Sequence, residues 1–365
     1  MTNKYPGNPY IQSPLLPVDV VFHPSWWHAH AGIDFDADFF YHPLKRVEAE
    51  RQMEQVLYDR FGKFGLGTDR HKELPLVGAV HNAAGFLISE MLGCTVEYSA
   101  NAAPQVIPAA MEKLDVEPGR AFESPAFTRF MALLESLKRK YGFVTGDVNW
   151  GGVLNVALDL AGEQVLTAFF TDPEETTIQL RRIAEVIQQF VVGMAAETGS
   201  SSISVNRNVR HIQRPVFLHS ECSHTMIDNA QYEEFLMPVD LEWSRQFRPF
   251  GIHYCGSDPH RYAGEFARIR NLDFLDVGWG GNVKVLRDHL PNTFLNIRLD
   301  PVTLNNCSEA EIAETVTRLV SDSGNPFLTG VCCINMDDQV EDSKVVAIFR
   351  AVEELREKAN LELNI

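Results

Sequence analysis

Between residues 43 and 61 the chain reads PLKRVEAERQMEQVLYDRF, with Val47, Met53, Val56 and Leu57 at the spacing that lines one face of a helix. Pro43 marks the helix start, since a missing N–H costs nothing where helical donors lack partners anyway. Beyond it the chain alternates short apolar runs with longer segments of helical period. LPLVGAV (74–80), TVEYS (95–99), FVTGDV (143–148), SSISV (201–205) and PVFLH (215–219) read as extended. So do FGIHYC (250–255), LDFLDVG (272–278), TFLNIRL (293–299) and PFLTGVCC (326–333). Helical segments fall at 83–93, 126–142, 173–199, 229–247, 259–269, 282–290, 309–322 and 342–359.

Strict alternation of this kind calls for a parallel sheet with helices outside it. Around eight such units in one chain predict an α/β fold of the (β/α)8 TIM-barrel type. The expected layout is a single domain over 1–365, with an N-terminal extension and helix in 1–70 and the barrel in 71–365. An open doubly wound sheet is the alternative. Its glycine fingerprint is missing, because GWGGN (278–282) lacks the required order and reads as a turn.

Composition narrows the partners. The formal charge of −17 with no long basic tract argues against nucleic acid. No apolar run approaches the roughly 18 residues of a membrane span, and the N-terminus does not read as a signal peptide, so a cytoplasmic location is expected. Six cysteines in 365 residues do not suggest a disulfide framework. Reduced thiols are free to bind metal.

Catalytic groups of a (β/α)8 barrel sit at the C-terminal ends of its strands. His253 and Cys255 lie at such an end, and strand alternation puts both side chains on one face. A third ligand should come from another strand end, where Cys332 and Cys333 stand. Two thiolates and an imidazole suit Zn2+, and three protein ligands leave its fourth position open for chemistry. The competing reading is a buried thiol packed as a small hydrophobe. His219, Glu221, Cys222 and His224 follow another strand and offer a metal ligand, a base or substrate contacts; otherwise they form a polar loop before the next helix, capped by Asp228 or Asn229. The aromatic segment with Trp26, Trp27, His28 and His30 reads as a lid or substrate platform, or as ordinary packing. Asn82, Asp147 and Asn149 follow strands and are candidate pocket residues, while MDD (336–338) reads as a solvated turn.

At these residues the chain resembles the uroporphyrinogen decarboxylase superfamily over nearly its whole length. PSWWHAHAG stands where the decarboxylases carry P-x-W-x-x-R-Q-A-G, and GDVNWGGVLNVALDLAG, HYCG and LNIRLDPVTL follow in the expected order. Ala29 and Ile33 replace the arginines that grip the carboxylates of the porphyrinogen, so the resemblance does not extend to that substrate. It is closer to the zinc-dependent methyltransferases that work with corrinoid proteins, such as methylcobalamin:coenzyme M methyltransferase. That branch implies zinc on His253, Cys255 and Cys332, with VCCI in place of its GCGI segment, so that Cys333 competes with Cys332. It implies a methyl group moved between a corrinoid protein and a thiol or methoxy compound. The corrinoid would be carried by a separate partner, because no D-x-H-x-x-G signature occurs here. Glu221 and His219 would be the catalytic candidates, Glu221 as a proton acceptor or as an extra metal ligand that leaves when substrate arrives. The alternatives are a metal-free decarboxylase or lyase acting on another substrate, and a non-catalytic zinc- or corrinoid-binding protein.

Overall fold

The computed structural model describes residues 5–68, 73, 75–77, 85–146, 151–199 and 211–363, and ten strands organise these described residues. They are β1 (Val18–Phe22), β2 (Leu76–Val77), β3 (Thr95–Ser99), β4 (Ala102–Ile107) and β5 (Thr145–Gly146). β6 (Phe217–Glu221), β7 (Phe250–Tyr254), β8 (Leu272–Val277), β9 (Phe294–Leu299) and β10 (Thr329–Met336) complete the set. Six of them form one parallel sheet in the order β1-β10-β9-β8-β7-β6. β2 and β5 form a separate parallel pair. Every residue of β1, β6, β7, β8 and β9 is buried, as expected of a parallel sheet covered on both faces. This is an α/β fold, with helices following the strands as the alternation requires.

Period-2 alternation sorts the side chains. One face carries Leu218, Phe274 and Phe294, which cluster with Ile11, Ile212, Val216 and Leu328 near the strand starts. Two glycines leave room for them. A Cβ at Gly251 would lie 2.9 Å from Leu218 Cδ1 and 3.0 Å from Phe274 Cβ, and one at Gly330 would lie 3.0 Å from Phe294 Cζ. Further along the same face come His253, Asp276, Asn296, Arg298 and Cys332, all buried. The strands thus carry an apolar layer near their starts and a polar layer toward their C-terminal ends. The opposite face, with Ile252, Tyr254, Leu275, Ile297 and Cys333, packs in the main core.

The helix expected over 43–61 is Pro43–Phe61. The segment 229–247 is helical but not uniform. A π-helical stretch, Tyr232–Leu236, precedes Met237–Gln246. Pro238, which has no N–H and would clash with a continuous ladder, sits at the junction. Thr95–Ser99 is a strand as expected, but it pairs antiparallel with Ala102–Ile107 in a hairpin that the alternation did not foresee. SSISV lies outside the described residues, as does most of LPLVGAV. No single helix among the described residues is long and apolar enough to cross a membrane.

Candidate metal centre

β7 delivers His253 and, one residue past its end, Cys255; the chain leaving β6 delivers Cys222. Their ligand atoms all lie within 4.8 Å of one another. Zinc takes thiolate at about 2.3 Å and imidazole at about 2.0–2.1 Å, so tetrahedral donors stand roughly 3.5–3.8 Å apart. Side-chain movements well under 1.5 Å would close the trio onto a cation, by roughly that difference.

The surroundings fit such a donor set. Asp276 on β8 holds His253 through Oδ2 and Nδ1 at 2.5 Å, which fixes the ring; Nε2, its other donor atom, lies 3.4 Å from Arg298 Nη2. Arg298 on β9 reaches across β8. Its Nη2 lies 3.2 Å from Asp276 Oδ2 and 3.1 Å from His253 Nδ1, and its Nη1 donates to Cys255 Sγ at 3.4 Å. Both Asp276 and Arg298 are fully buried. The Cys222 thiol donates toward Cys255, and this, against the cost of burial, together with His253 and Arg298, pulls the Cys255 thiol down to about 2. Cys222 is correspondingly pushed up, first by its hydrogen bond to Cys255 and then by burial. The site therefore holds one preformed thiolate beside one thiol. All six cysteines are free, so both sulfurs are available. Two sulfurs, one oriented imidazole and a carboxylate behind it are a donor set that suits zinc.

The remaining sequence candidates fall in several places. Cys332 shares the inward face: its Sγ is 3.7 Å from Asn296 Nδ2, and it feels the charges of Asp276 and Arg298. It is not among the three whose donor atoms come within 4.8 Å of each other. Cys333 points the other way, into the helix-covered core, where its Sγ approaches Leu299 O at 3.7 Å.

His219 and Glu221 also face the helices. His219 Nδ1 pairs with Asp240 Oδ1 at 2.6 Å, and its Nε2 accepts from the Val153 N–H at 3.2 Å. Glu221 Oε2 accepts from the Leu154 N–H at 2.7 Å, and Oε1 from the Ser223 N–H at 3.0 Å. The two side chains bind the start of helix Val153–Ala161, where unpaired N–H groups and the helix dipole favour an acceptor. Gly152 is required there, because a Cβ would lie 2.7 Å from Glu221 Cα. Asn155 of the same helix accepts from the N–H groups of Cys222 and Ser223 at 3.1 and 2.9 Å, so this assembly sets the position of Cys222.

His224 is fully buried, with its ring against Tyr232, Tyr254, Tyr262 and Phe266. Burial, reinforced by the nearby His219, His253 and Arg261 side chains, holds it well below the ordinary histidine value. Trp26 and Trp27 are buried in an aromatic cluster, with Phe22 stacked on Trp26 at 4.0 Å, and do not present their faces to the site. His28 is exposed and paired with Asp34 at 2.8 Å, and His30, also exposed, lies 3.3 Å from Asp338 O. Asn82, Asp147 and Asn149 lie outside the described residues.

Sequence reasoning did not single out Asp276, Arg298 or Asp240. The signal for the first two was present. In LDFLDV and LNIRL a charged residue sits in phase with the inward positions of a buried strand.

The comparisons agree with this architecture. The profile of the family described as Uroporphyrinogen decarboxylase (URO-D) matches residues 68–355, a span that includes the whole polar layer. Among solved structures, a methyltransferase from Methanosarcina mazei superposes with a TM-score of 0.63 at 13% identity, covering 98% of this chain and 95% of that one. A B12-independent methionine synthase from Shewanella sp. W3-18-1, in complex with selenomethionine, gives 0.53 at 10% identity, with 96% and 99% covered. At such identities the likeness is one of fold. A search of curated proteins finds no match. The profile match, which spans most of the chain and all of the candidate centre, shows that the protein belongs to the uroporphyrinogen decarboxylase (URO-D) family.

Proposed function

We propose that this protein is a cytoplasmic, zinc-dependent methyltransferase that moves a methyl group between a corrinoid protein and a thiol or methoxy compound. The observation that carries the reading is the convergence of Cys222, His253 and Cys255 at the strand ends, with Asp276 behind the histidine. Zinc bound there would supply a Lewis acid that keeps a substrate thiol ionised near neutral pH or activates a methyl ether. The rest of the work belongs to the chain. Asp276 orients His253, and Cys222, His253 and Arg298 together hold Cys255 as thiolate in the metal-free protein. His219 and Glu221 act as positioning residues through helix Val153–Ala161 and Asn155 rather than as proton carriers.

We further read the chain as one barrel domain over 1–365; the segment 1–70, expected as an N-terminal extension, itself supplies the strand β1, which pairs with β10. The β2–β5 pair would occupy the gap between β1 and β6, giving eight parallel strands in chain order around a closed (β/α)8 barrel. Methyl transfer is favoured by two fold neighbours whose names describe methyl-group chemistry. The corrinoid partner rests on the sequence resemblance, since the second neighbour is described as B12-independent. Arg298 supports a second reading, a metal-free decarboxylase or lyase, because a buried guanidinium at the strand ends would meet a carboxylate substrate. It is the weaker reading because Asp276 and Cys255 already engage that guanidinium.

The test is demethylation of methylcobalamin by the zinc-loaded protein with a panel of small thiols, followed by the loss of the methyl–cobalt absorption. Thiol-dependent turnover that disappears on chelation supports the proposal. No turnover with any thiol, nor in the reverse sense with cobalt(I) and methoxy compounds, counts against it.

A further inference from the structure

We propose that Cys222, at the end of β6, is the third zinc donor of this chain, in place of the late-strand Cys332 that the family resemblance implies. This rests on the zinc reading above and concerns which thiol completes the site.

Geometry separates the two cysteines. Cys222 approaches His253 and Cys255 from the β6 side, within 4.8 Å of both. The other side of the pair is occupied. Arg298 starts from β9, the neighbour of β10, and lays its guanidinium across β8 onto His253 and Cys255. A donor arriving from β10 would have to displace a buried cation from Asp276, its counter-charge. Losing one partner of such a buried pair costs more than most single contacts return. Cys332 instead lies against Asn296.

Cys222 is also held in place independently of any metal. Its backbone N–H donates to Asn155 Oδ1, and Glu221, one residue earlier, is fixed by the Leu154 and Ser223 N–H groups. The donor is therefore pre-positioned by the helix Val153–Ala161, so little ordering is left for binding. Charge is consistent with the assignment. Two thiolates and a neutral imidazole neutralise a divalent cation, and the nearby Arg298–Asp276 pair adds none.

Three full-length proteins test this: wild type, Cys222→Ser and Cys332→Ser, prepared metal-free and titrated with cobalt(II) and with zinc against a chromophoric chelator. The expected result is one metal per chain in the wild type with two thiolate-to-cobalt contributions. Cys222→Ser should lose one of these and more than about 100-fold in zinc affinity, since altering even an outer partner costs 10–100-fold. Cys332→Ser should keep both spectrum and affinity. The reverse pattern, or equal losses in both variants, overturns the inference while leaving the zinc reading intact. A wild type that binds no metal overturns that reading itself. Should Cys222→Ser not fold, alkylation mapping of the wild type decides. Zinc should shield Cys222 and Cys255 and leave the labelling of Cys332 unchanged; shielding of Cys332 instead of Cys222 overturns the assignment.

Discussion

Replacing Asp276 by asparagine keeps the shape of the side chain and removes its charge, and it separates two consequences of one residue. In the metal-free protein Asp276 is the buried counter-charge of Arg298, at 3.2 Å, and also bonds His253 at 2.5 Å and Asn296 Nδ2 at 3.2 Å. Removing one partner of a buried ion pair costs about 3–5 kcal/mol. Cys255 still faces the guanidinium as a thiolate, so the lower end, about 3 kcal/mol, is expected. In the zinc-bound protein the aspartate fixes His253 with its proton on Nδ1. An asparagine there can offer its N–H to Nδ1 and reverse the tautomer, so affinity should fall 10–100-fold, about 1.4–2.7 kcal/mol. The stability effect should therefore exceed the binding effect. Urea unfolding of the metal-free protein measures the first and chelator competition the second. The double variant Asp276→Asn with Arg298→Met removes both charges. It should regain most of the stability and none of the affinity. Zinc affinity within twofold of wild type in Asp276→Asn would refute the assignment of His253 as a ligand oriented by this carboxylate.

Other expectations concern reactivity and packing. Because the Cys255 thiol is held so far below its ordinary value, its thiolate persists on the acid side. In the metal-free protein Cys255 should react with iodoacetamide at nearly the same rate at pH 8 and pH 5.5, whereas an ordinary thiol keeps only about 0.1% thiolate at pH 5.5. A rate falling tenfold per pH unit across that interval would show that Cys222, His253 and Arg298 do not hold the charge. Gly251→Val adds atoms where Leu218 and Phe274 already sit within 3.0 Å of a Cβ. It should cost about 1–3 kcal/mol in urea unfolding, and an unchanged midpoint would contradict the inward register of β7. Gly152→Ala meets the backbone of Glu221, which cannot swing aside. A similar loss of about 1–3 kcal/mol is expected, together with weaker zinc binding through the displaced Cys222; wild-type behaviour in both would contradict the coupling of that helix to the site.

Much of the fold was legible because its period is local. The alternation of runs and helices follows from spacing alone, and Pro43–Phe61 could be read to the residue. The β3–β4 hairpin was not, because its strands are half-exposed and Pro104 weakens the second as a strand signal. His253 and Cys255 could be paired from alternation, whereas Cys332 and Cys333 stayed in competition until the fold turned the first inward and the second toward the helices. Alternation says which face a side chain takes but not how far a neighbour reaches. Arg298 spans two strands, and that reach, invisible in the sequence, separates Cys332 from the pair. His219 and Glu221 illustrate the converse. Both are chemically suited to catalysis, yet their phase on β6 is opposite to Leu218, which turns them toward the helices. Trp26 and Trp27 offered large aromatic faces in a stretch without clear period, and only packing with Phe22 decides their direction.

The most direct measurement is the metal content of the purified protein after zinc reconstitution and removal of loosely bound ions, wild type beside Cys255→Ser. One tightly held zinc per wild-type chain, absent from the variant, is the result this account predicts. A folded wild-type protein that retains no zinc would contradict it, leaving His253, Cys255 and Cys222 as a half-buried thiolate–imidazole cluster without the metal on which the methyl-transfer reading depends.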